Sequence, residues 1–331
     1  MKKKLIVICS ISLLCLIAIV GFKLMAPKTV QCPVKNSDGY IDLLQIYDGK
    51  LYYVHSLFDS KKDILYCYDD ESGLREVDSE ESERIIPNLN EEYLKGKTQK
   101  NSAGMECKYD SINGYMKGYV LKEPIAVNPK AAYRGVGKGS SAERFPYEDY
   151  KLTEYYYGLT DEYIVGIMRS VQEEPKEEGK AYIALVDKTG NISVIPDYVV
   201  YDTYPKFLLC HDNCVYFWGM GEEEGISVGE GESGILECEG PRLYVYIVDT
   251  GEVRKLCDYS NLCRASDLYK AYVPQWSIGD EYEVFIDGQY LYSYSKNGDT
   301  DIVRFRLTYD ENGYPLRCEY DTCIYDNPHL N

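Results

Sequence analysis

Histidine is scarce in this chain, and the familiar nucleophile motifs are missing. Three histidines occur among 331 residues, and one of them is His329. No Gly-x-Ser-x-Gly elbow is present, the turn that presents a catalytic serine in α/β-hydrolases. The sequence therefore gives little support to nucleophilic catalysis. The 54 acidic residues leave a carboxylate-pair glycosidase open, but no catalytic residue can be assigned.

Basic residues are outnumbered by acidic ones. The net charge is −18, and because residues 1–23 carry four lysines and no acid, the remainder carries −22. Phosphate contacts need Lys and Arg, so we expect no nucleic-acid partner. Anionic lipid and anionic wall polymers would also repel such a domain. Solubility is the simpler explanation of the charge, and divalent-cation binding is the alternative.

Two segments resemble cofactor-binding motifs but lack the residues or the structural context that such motifs need. Gly229–Gly234 matches the dinucleotide fingerprint, but no helical pattern follows and glutamates surround the place of the phosphates, so it reads as a mobile acidic loop. Gly137-Lys138 fails as a P-loop because Gly139 stands where Ser or Thr is needed. Acid-rich turns lack the ligand spacing of a calcium loop. We predict no cofactor and no metal site.

The first residues predict the location. Lys2–Lys4 precede an apolar run from Leu5 to Phe22, which is long enough to cross a bilayer. No small-x-small cleavage pattern follows, which favours an uncleaved signal anchor over a cleaved signal peptide. We expect a cytoplasmic basic tip (1–4), a transmembrane anchor (5–23), a linker (24–38) and an extracytoplasmic domain (39–331) of a single-pass cell-membrane protein.

A short sequence motif recurs along the domain. Asp48–Tyr53 and Asp287–Tyr292 each place an Asp-Gly turn before an aromatic strand, and each is followed by a second strand and a glycine turn. Four segments follow this plan. Strands such as Tyr244–Val248 are apolar on both faces, as expected when neighbouring sheets cover each face. The pattern predicts an all-β, β-propeller-like domain of about five to seven blades.

Two regions depart from the repeat. Residues 80–150 contain no clean copy; Gly135–Ser141 reads as a flexible loop and Glu91–Lys95 as a short helical turn. Residues 219–240 read as an insertion rich in Gly and Glu between two strands. The blade count is therefore open within the stated range.

The cysteines allow two interpretations. Ten lie beyond the predicted anchor, and short loops would connect Cys210 with Cys214, Cys257 with Cys263, and Cys318 with Cys323. Local disulfides and buried free thiols are both open. Cys210, His211 and Cys214 could also hold zinc, but His211 belongs to a predicted hairpin turn, where such residues are common.

The repeated plan of Asp-Gly, Leu-Tyr-Tyr (Leu51–Tyr53), Leu-Tyr-x-Tyr-Asp (Leu65–Asp69) and a glycine turn resembles the TolB-type β-propeller repeat proteins. It is especially similar to the membrane-anchored propeller proteins common in Firmicutes. The resemblance covers about two thirds of residues 40–325 and implies binding or scaffolding more often than catalysis.

The leading hypothesis is therefore a membrane-anchored binding or interaction module with a protein or glycan partner at the cell surface. An extracellular enzyme that acts on glycan or peptide through acids near the propeller channel is the alternative, and a structural or sensory ectodomain is a third. Tyrosine is abundant, with 35 Tyr against 7 Phe and 2 Trp. Strand packing explains this excess; Tyr155-Tyr156-Tyr157 and Trp218 or Trp276 are the candidate contacts if it forms a binding surface.

Overall fold

The chain forms a five-bladed β-propeller. The structure is a computed structural model. It describes residues 28–31, 39–57, 63–112, 116–128, 130–133, 149–170, 180–201, 208–221, 229–230, 236–237, 242–257, 282–295 and 302–326. The prediction of five to seven blades is confirmed at its lower bound. The predicted anchor, 5–23, lies outside the described residues, and none of the helices within them is long and apolar enough to cross a membrane.

The first and last blades are four-stranded antiparallel meanders. Blade one consists of β2 (Gly39–Tyr47), β3 (Lys50–Leu57), β4 (Asp63–Asp69) and β5 (Gly73–Glu76). Blade five consists of β21 (Tyr282–Asp287), β22 (Tyr290–Ser295), β23 (Ile302–Tyr309) and β24 (Pro315–Asp326). The N-terminal strand β1 (Lys28–Gln31) adds to blade five, parallel to the end of β24.

Blades three and four share one continuous ten-stranded sheet. Blade three contains β10 (Tyr150–Leu152), β11 (Gly158–Leu159), β12 (Tyr163–Ser170), β13 (Lys180–Asp187) and β14 (Ile192–Tyr201), and β9 (Ala131–Tyr133) joins it beside β14. Blade four contains β15 (Leu208–His211), β16 (Cys214–Gly221), β19 (Arg242–Ile247) and β20 (Glu252–Cys257). The end of β14 pairs with β16 and so links the two blades.

The region without a clean repeat holds a helix and a smaller blade. Helix α1 (Ser79–Gly96) is followed by blade two, which contains β6 (Thr98–Lys100), β7 (Glu106–Ile112) and β8 (Met116–Leu121). The predicted short turn at 91–95 is therefore part of an 18-residue helix, and the expectation of purely β structure needs this correction. Asp78 caps the helix by accepting a hydrogen bond from the Glu81 amide at 2.8 Å.

Both faces of the central strands are buried, each against a different neighbour. In blade one, Tyr53 and Tyr66 stack with ring centroids 5.1 Å apart and face blade five. Tyr52 and Cys67, the residues beside them in sequence, face α1. The same alternation continues around the ring, where buried clusters join blade five to four, four to three and three to two. Sandwiched blades explain why these strands are apolar on both faces.

An arginine cluster lies in the seam between blades five and one. The Arg304 side chain is nearly buried, and it donates to Asp321 Oδ2 at 2.7 Å and to Asp70 Oδ1 at 2.7 Å. Its guanidinium lies 4.3 Å from the ring centroid of Tyr290. The exposed Arg306 contacts the other oxygen of Asp321 at 3.1 Å. Because Asp70 belongs to blade one and Arg304 to blade five, the cluster ties the two ends of the ring together.

The short hairpin turns have the backbone angles that the sequence predicts. Asp48 and Gly49 have φ of 52° and 71°, and Asp212 and Asn213 have φ of 46° and 55°, as two-residue hairpins of the primed type require. Gly190, in the turn between β13 and β14, has φ of 85°, and its carbonyl accepts a hydrogen bond from the Asn128 amide at 2.7 Å. A Cβ at position 190 would overlap the carbonyl of Ala126.

We expect Arg304→Met to lower the free energy of unfolding by about 3–5 kcal/mol, because it leaves the largely buried Asp321 carboxylate without its main partner. Arg306→Met removes the exposed partner of the same carboxylate and should cost less than about 1 kcal/mol. Urea denaturation of the full chain, followed by tyrosine fluorescence, measures both values. Equal losses in the two variants would contradict the seam role of Arg304.

Gly190→Ala should destabilise the protein by more than Gly251→Ala. Both glycines lie in turns with positive φ, so each alanine carries a backbone cost of about 1–2 kcal/mol. At Gly251 the nearest atom to a new Cβ is the Tyr246 hydroxyl at 3.9 Å, whereas position 190 adds a backbone overlap. The midpoints of thermal unfolding of the two variants test this difference, and a lower midpoint for the Gly251 variant would contradict it.

Candidate functional site

An outward-opening groove separates the outer strands of blades four and five. Its volume is about 520 Å³, and strands β20 and β24 form its two sides. The lining residues are Lys255, Leu256, Cys257, Leu316, Arg317, Cys318, Glu319 and Tyr320. Five successive residues of β24 contribute, a length of about 17 Å of extended chain. The groove is therefore shaped like a strand rather than like a compact small-molecule pocket.

The floor of the groove is apolar and its rim is charged. Leu256 and Cys318 are buried in the cluster that joins the two blades, and Tyr320 packs edge-on against Phe305 with ring centroids 6.3 Å apart. Leu316 is the exception at the rim, with 52% of its surface exposed. An exposed leucine beside a buried apolar floor is a common arrangement in protein contact surfaces.

Two sheet edges border the groove. β20 is the last strand of blade four and pairs with β19, and in the described residues no strand pairs with its other edge. β24 pairs with β23 along its length, but β1 reaches only Thr322 and the residues after it. Over the described chain, no strand therefore pairs with the β24 edge from Pro315 to Asp321. Such edges carry backbone N–H and C=O groups that can pair with an added strand.

Arg254 closes the groove at the end where the hairpin turns lie. Its Nη1 donates to Asp310 Oδ2 at 2.8 Å and to the Pro315 carbonyl at 3.2 Å, and its Nη2 donates to Glu252 at 2.9 Å. These hydrogen bonds raise the pKa of the guanidinium and, with turn amides, hold the pKa of the Asp310 carboxyl below its usual value. Blades four and five are thus fixed to each other at one end of the groove.

The predicted aromatic contacts lie mostly in blade packing. Tyr155 is buried, and its hydroxyl accepts hydrogen bonds from Tyr157 at 3.3 Å and from Arg169 at 3.1 Å. Tyr156 is half-buried and packs against the cluster shared by blades two and three. Trp218 pairs with Leu243 through the backbone. Trp276 lies outside the described residues. The structure therefore does not place Tyr155 on an exposed aromatic rim.

The structure does not fit the disulfide alternative, or zinc ligation by both thiols, at Cys210 and Cys214. Cys210 packs into the interface with blade three, whereas Cys214 packs into the interface with blade five, so the two thiols lie on opposite faces of blade four. Cys318 is a reduced thiol in the structure, so it does not form the local pair with Cys323. Within the described ranges, no group of three or more His, Cys, Asp or Glu residues is placed to hold a metal.

The acid-rich turns that are described have structural roles. Asp69 accepts hydrogen bonds from the amides of Glu71 and Ser72, and the Ser72 contacts lower its pKa to about 2. Glu81 is paired with Arg75, which lowers the pKa of that carboxyl. In the fingerprint-like segment, Gly229 and Glu230 belong to a two-residue strand, β17, that pairs with β18 (Leu236–Glu237). Gly137-Lys138 and Asn297–Asp301 lie outside the described residues.

Comparison with protein family models and with curated proteins finds no match. Among solved structures, Pyrococcus horikoshii acylaminoacyl peptidase (orthorhombic crystal form) is similar to this chain with a TM-score of 0.21 and 9% identity. The match covers 84% of this chain and 45% of that one, so this chain spans less than half of its length. A similarity this low carries no argument, and the propeller assignment rests on the strand pairing itself.

Apart from Cys257 and Cys318, which were considered only as members of local disulfides, the groove residues were absent from the sequence-based candidates. β20 and β24 lie about 60 residues apart in sequence, and no local motif marks either of them. The one available signal is the alternation in β24, where Leu316, Cys318 and Tyr320 alternate with the charged Arg317 and Glu319. That alternation indicates a strand with one covered face, but it does not indicate which strand lies opposite.

Proposed function

We propose that this protein is a membrane-anchored, extracytoplasmic binding module that takes an extended segment of a partner protein into the groove between blades four and five. The observation that carries the proposal is an apolar floor between two sheet edges. An added strand can satisfy its backbone groups on one of these edges while its side chains reach the floor. The affinity then comes from the backbone, and the choice of partner comes from the floor and rim.

The rim adds charge selectivity. Lys255 and Arg317 stand in the lining beside a single acid, Glu319, which pairs with Arg317 at 3.0 Å. Two of the three charged lining residues are thus basic, on a chain whose net charge is −18. A partner segment with an acidic residue near an apolar one matches this lining, and a basic segment would be repelled by most of the remaining surface.

The location and family belong to the same proposal. The apolar run 5–23 behind three lysines supports a single-pass anchor with the propeller outside the cytoplasm. The repeated Asp-Gly and Leu-Tyr-Tyr motifs support a place among the TolB-type, membrane-anchored propellers of Firmicutes. In that setting the groove would face partners at the cell surface, either proteins or, as the second class, glycans.

The proposed site can be tested by placing a photo-crosslinking amino acid at position 316 of the full chain in its native membrane. We expect crosslinks to a partner protein. The peptide of that partner that carries the crosslink is then synthesised, and we expect it to bind the purified full chain. Leu316→Glu should weaken that binding at least tenfold, because the leucine stands beside the apolar floor. Fluorescence anisotropy of the labelled peptide measures the affinity.

Leu94 provides the matched control for this experiment. It is an exposed leucine on α1, away from the groove, with 63% of its surface accessible. A crosslinker at position 94 should not capture the same peptide, and Leu94→Glu should leave its affinity unchanged. Capture at both positions alike, or a peptide whose binding survives Leu316→Glu, would contradict the site. Binding of wall glycan fragments in competition with the peptide would contradict the partner class.

The anchor has its own test. We expect the protein to stay in the membrane fraction after carbonate extraction, with residues 5–23 retained in the mature chain. Leu14→Lys places a charge in the middle of the run at a cost of about 3 kcal/mol in insertion, and should shift protein out of that fraction. Mass spectrometry of the N-terminal peptide gives the start of the mature protein. A start beyond residue 25 would contradict the anchor.

A further inference from the structure

Two cysteines from different blades meet in the floor of the groove. Cys257 ends β20, and Cys318 lies in the first half of β24. Both line the groove, both belong to the apolar cluster that joins blades four and five, and Cys257 contributes, after burial, to the raised pKa of Cys318. The Cα atoms of β20 and β24 approach within 8 Å, which allows the separation of about 4.4–6.8 Å that a disulfide needs.

The setting of this pair differs from that of the other cysteines. Cys107 and Cys210 also influence each other, but they lie in the interior beside the Tyr119 ring and line no groove. Cys210 and Cys214 are separated by the sheet of blade four. In the described chain, Cys257 and Cys318 are the two cysteines among the residues that line this groove, with 7% and 2% of their surfaces exposed.

We propose that Cys257 and Cys318 form a redox-active dithiol site, and that oxidation joins blades four and five by a disulfide across the groove floor. The oxidant is a disulfide of low molecular weight or the active disulfide of an exchange protein. The inference stands on the packing of the two strands and does not depend on the groove binding a partner.

The exchange proceeds in two steps, starting at the more exposed thiol. Cys257 loses its proton to water, and its thiolate attacks one sulfur of the oxidant. The S–S bond of the oxidant breaks, and the first oxidant thiol leaves with a proton. Cys318 then loses its proton, attacks Cys257 Sγ in the mixed disulfide and displaces the second oxidant thiol. Two protein thiols are oxidised, and one oxidant disulfide is reduced to two thiols.

The second step depends on the fraction of Cys318 that is thiolate. Burial raises the pKa of Cys318 well above its usual value, so only a small fraction is thiolate at neutral pH. The rate of disulfide closure should therefore keep rising with pH above 8. The mixed disulfide at Cys257 should accumulate at lower pH, where the attack by Cys318 is slow.

The closed bond encloses the whole of blade five up to the start of β24. A crosslink over a loop of this length restricts the unfolded chain considerably. We expect the oxidised full chain to unfold about 5 °C higher than the reduced chain. Because the disulfide would lie in the floor, it would also fix the spacing of the two groove walls at a second point, distant from the end that Arg254 holds.

The test uses the full chain, reduced and then equilibrated with oxidised glutathione. Remaining thiols are alkylated, and the chain is digested without reduction and mapped by mass spectrometry. We expect a linked peptide pair that contains Cys257 and Cys318, and the rise in melting temperature that accompanies it. Cys318→Ala should stop the reaction at the glutathione adduct of Cys257 and abolish the temperature shift.

Cys107→Ala is the matched control, because it removes a buried thiol of the interior pair and should leave the 257–318 link intact. A cysteine variant that failed to fold would lose the Cys257–Cys318 disulfide without testing the proposal. The peptide map of the wild-type chain is therefore the deciding measurement. Recovery of both cysteines as alkylated thiols after equilibration would overturn the proposal. Recovery of Cys257 linked to Cys263, a pairing that the sequence left open, would overturn it equally.

Discussion

Four of the five blades cannot stand alone, because both faces of the central strands in blades one, three, four and five are buried in apolar clusters. Tyr52 and Tyr53 are neighbours in β3, yet each is buried against a different element. A sheet of this kind is stable only between two other surfaces, and a closed ring provides them for every blade at once. The ring therefore has to close, and the Arg304 cluster lies where its first and last blades meet.

Blade one shows how strict this requirement is. Blade five covers one of its faces, but blade two has only three described strands. The other face is covered by α1, where Ile85 and Leu89 pack against Cys67 and its neighbours. The helix thus covers the face of blade one that a neighbouring blade would cover elsewhere in the ring. Its bidentate pair between Arg75 and Glu81, at 2.7 and 2.8 Å, fixes the start of the helix to β5.

Local signals were enough to predict the fold and were insufficient for the site. The hairpin at Asp48-Gly49 is encoded by adjacent residues, and the two-faced apolar strands require covered sheets. Helix α1 was underestimated because Pro87 interrupts its pattern, although Asp78 and Glu81 form a capping signal at its start. The groove depends on β20 lying beside β24, a relation set by ring closure that no local pattern contains.

The two ends of the groove differ in how firmly they are held, and this bears on what the groove can do. At the turn end, blades three, four and five are joined by hydrogen bonds: the Asp161 amide donates to Asn213 at 3.1 Å, and Asn213 and Tyr314 both donate to Asp249. Arg254 adds a further link between blades four and five. These contacts resist any change of spacing at that end.

Farther along the groove, Leu256, Cys257 and Cys318 meet through apolar packing, which is not directional. An added strand that contacts this part of the groove would leave the hydrogen bonds at the turn end in place. The proposed disulfide at the floor would add a covalent link between blades four and five there, so the oxidation state of two thiols would fix the spacing of a surface that two blades form.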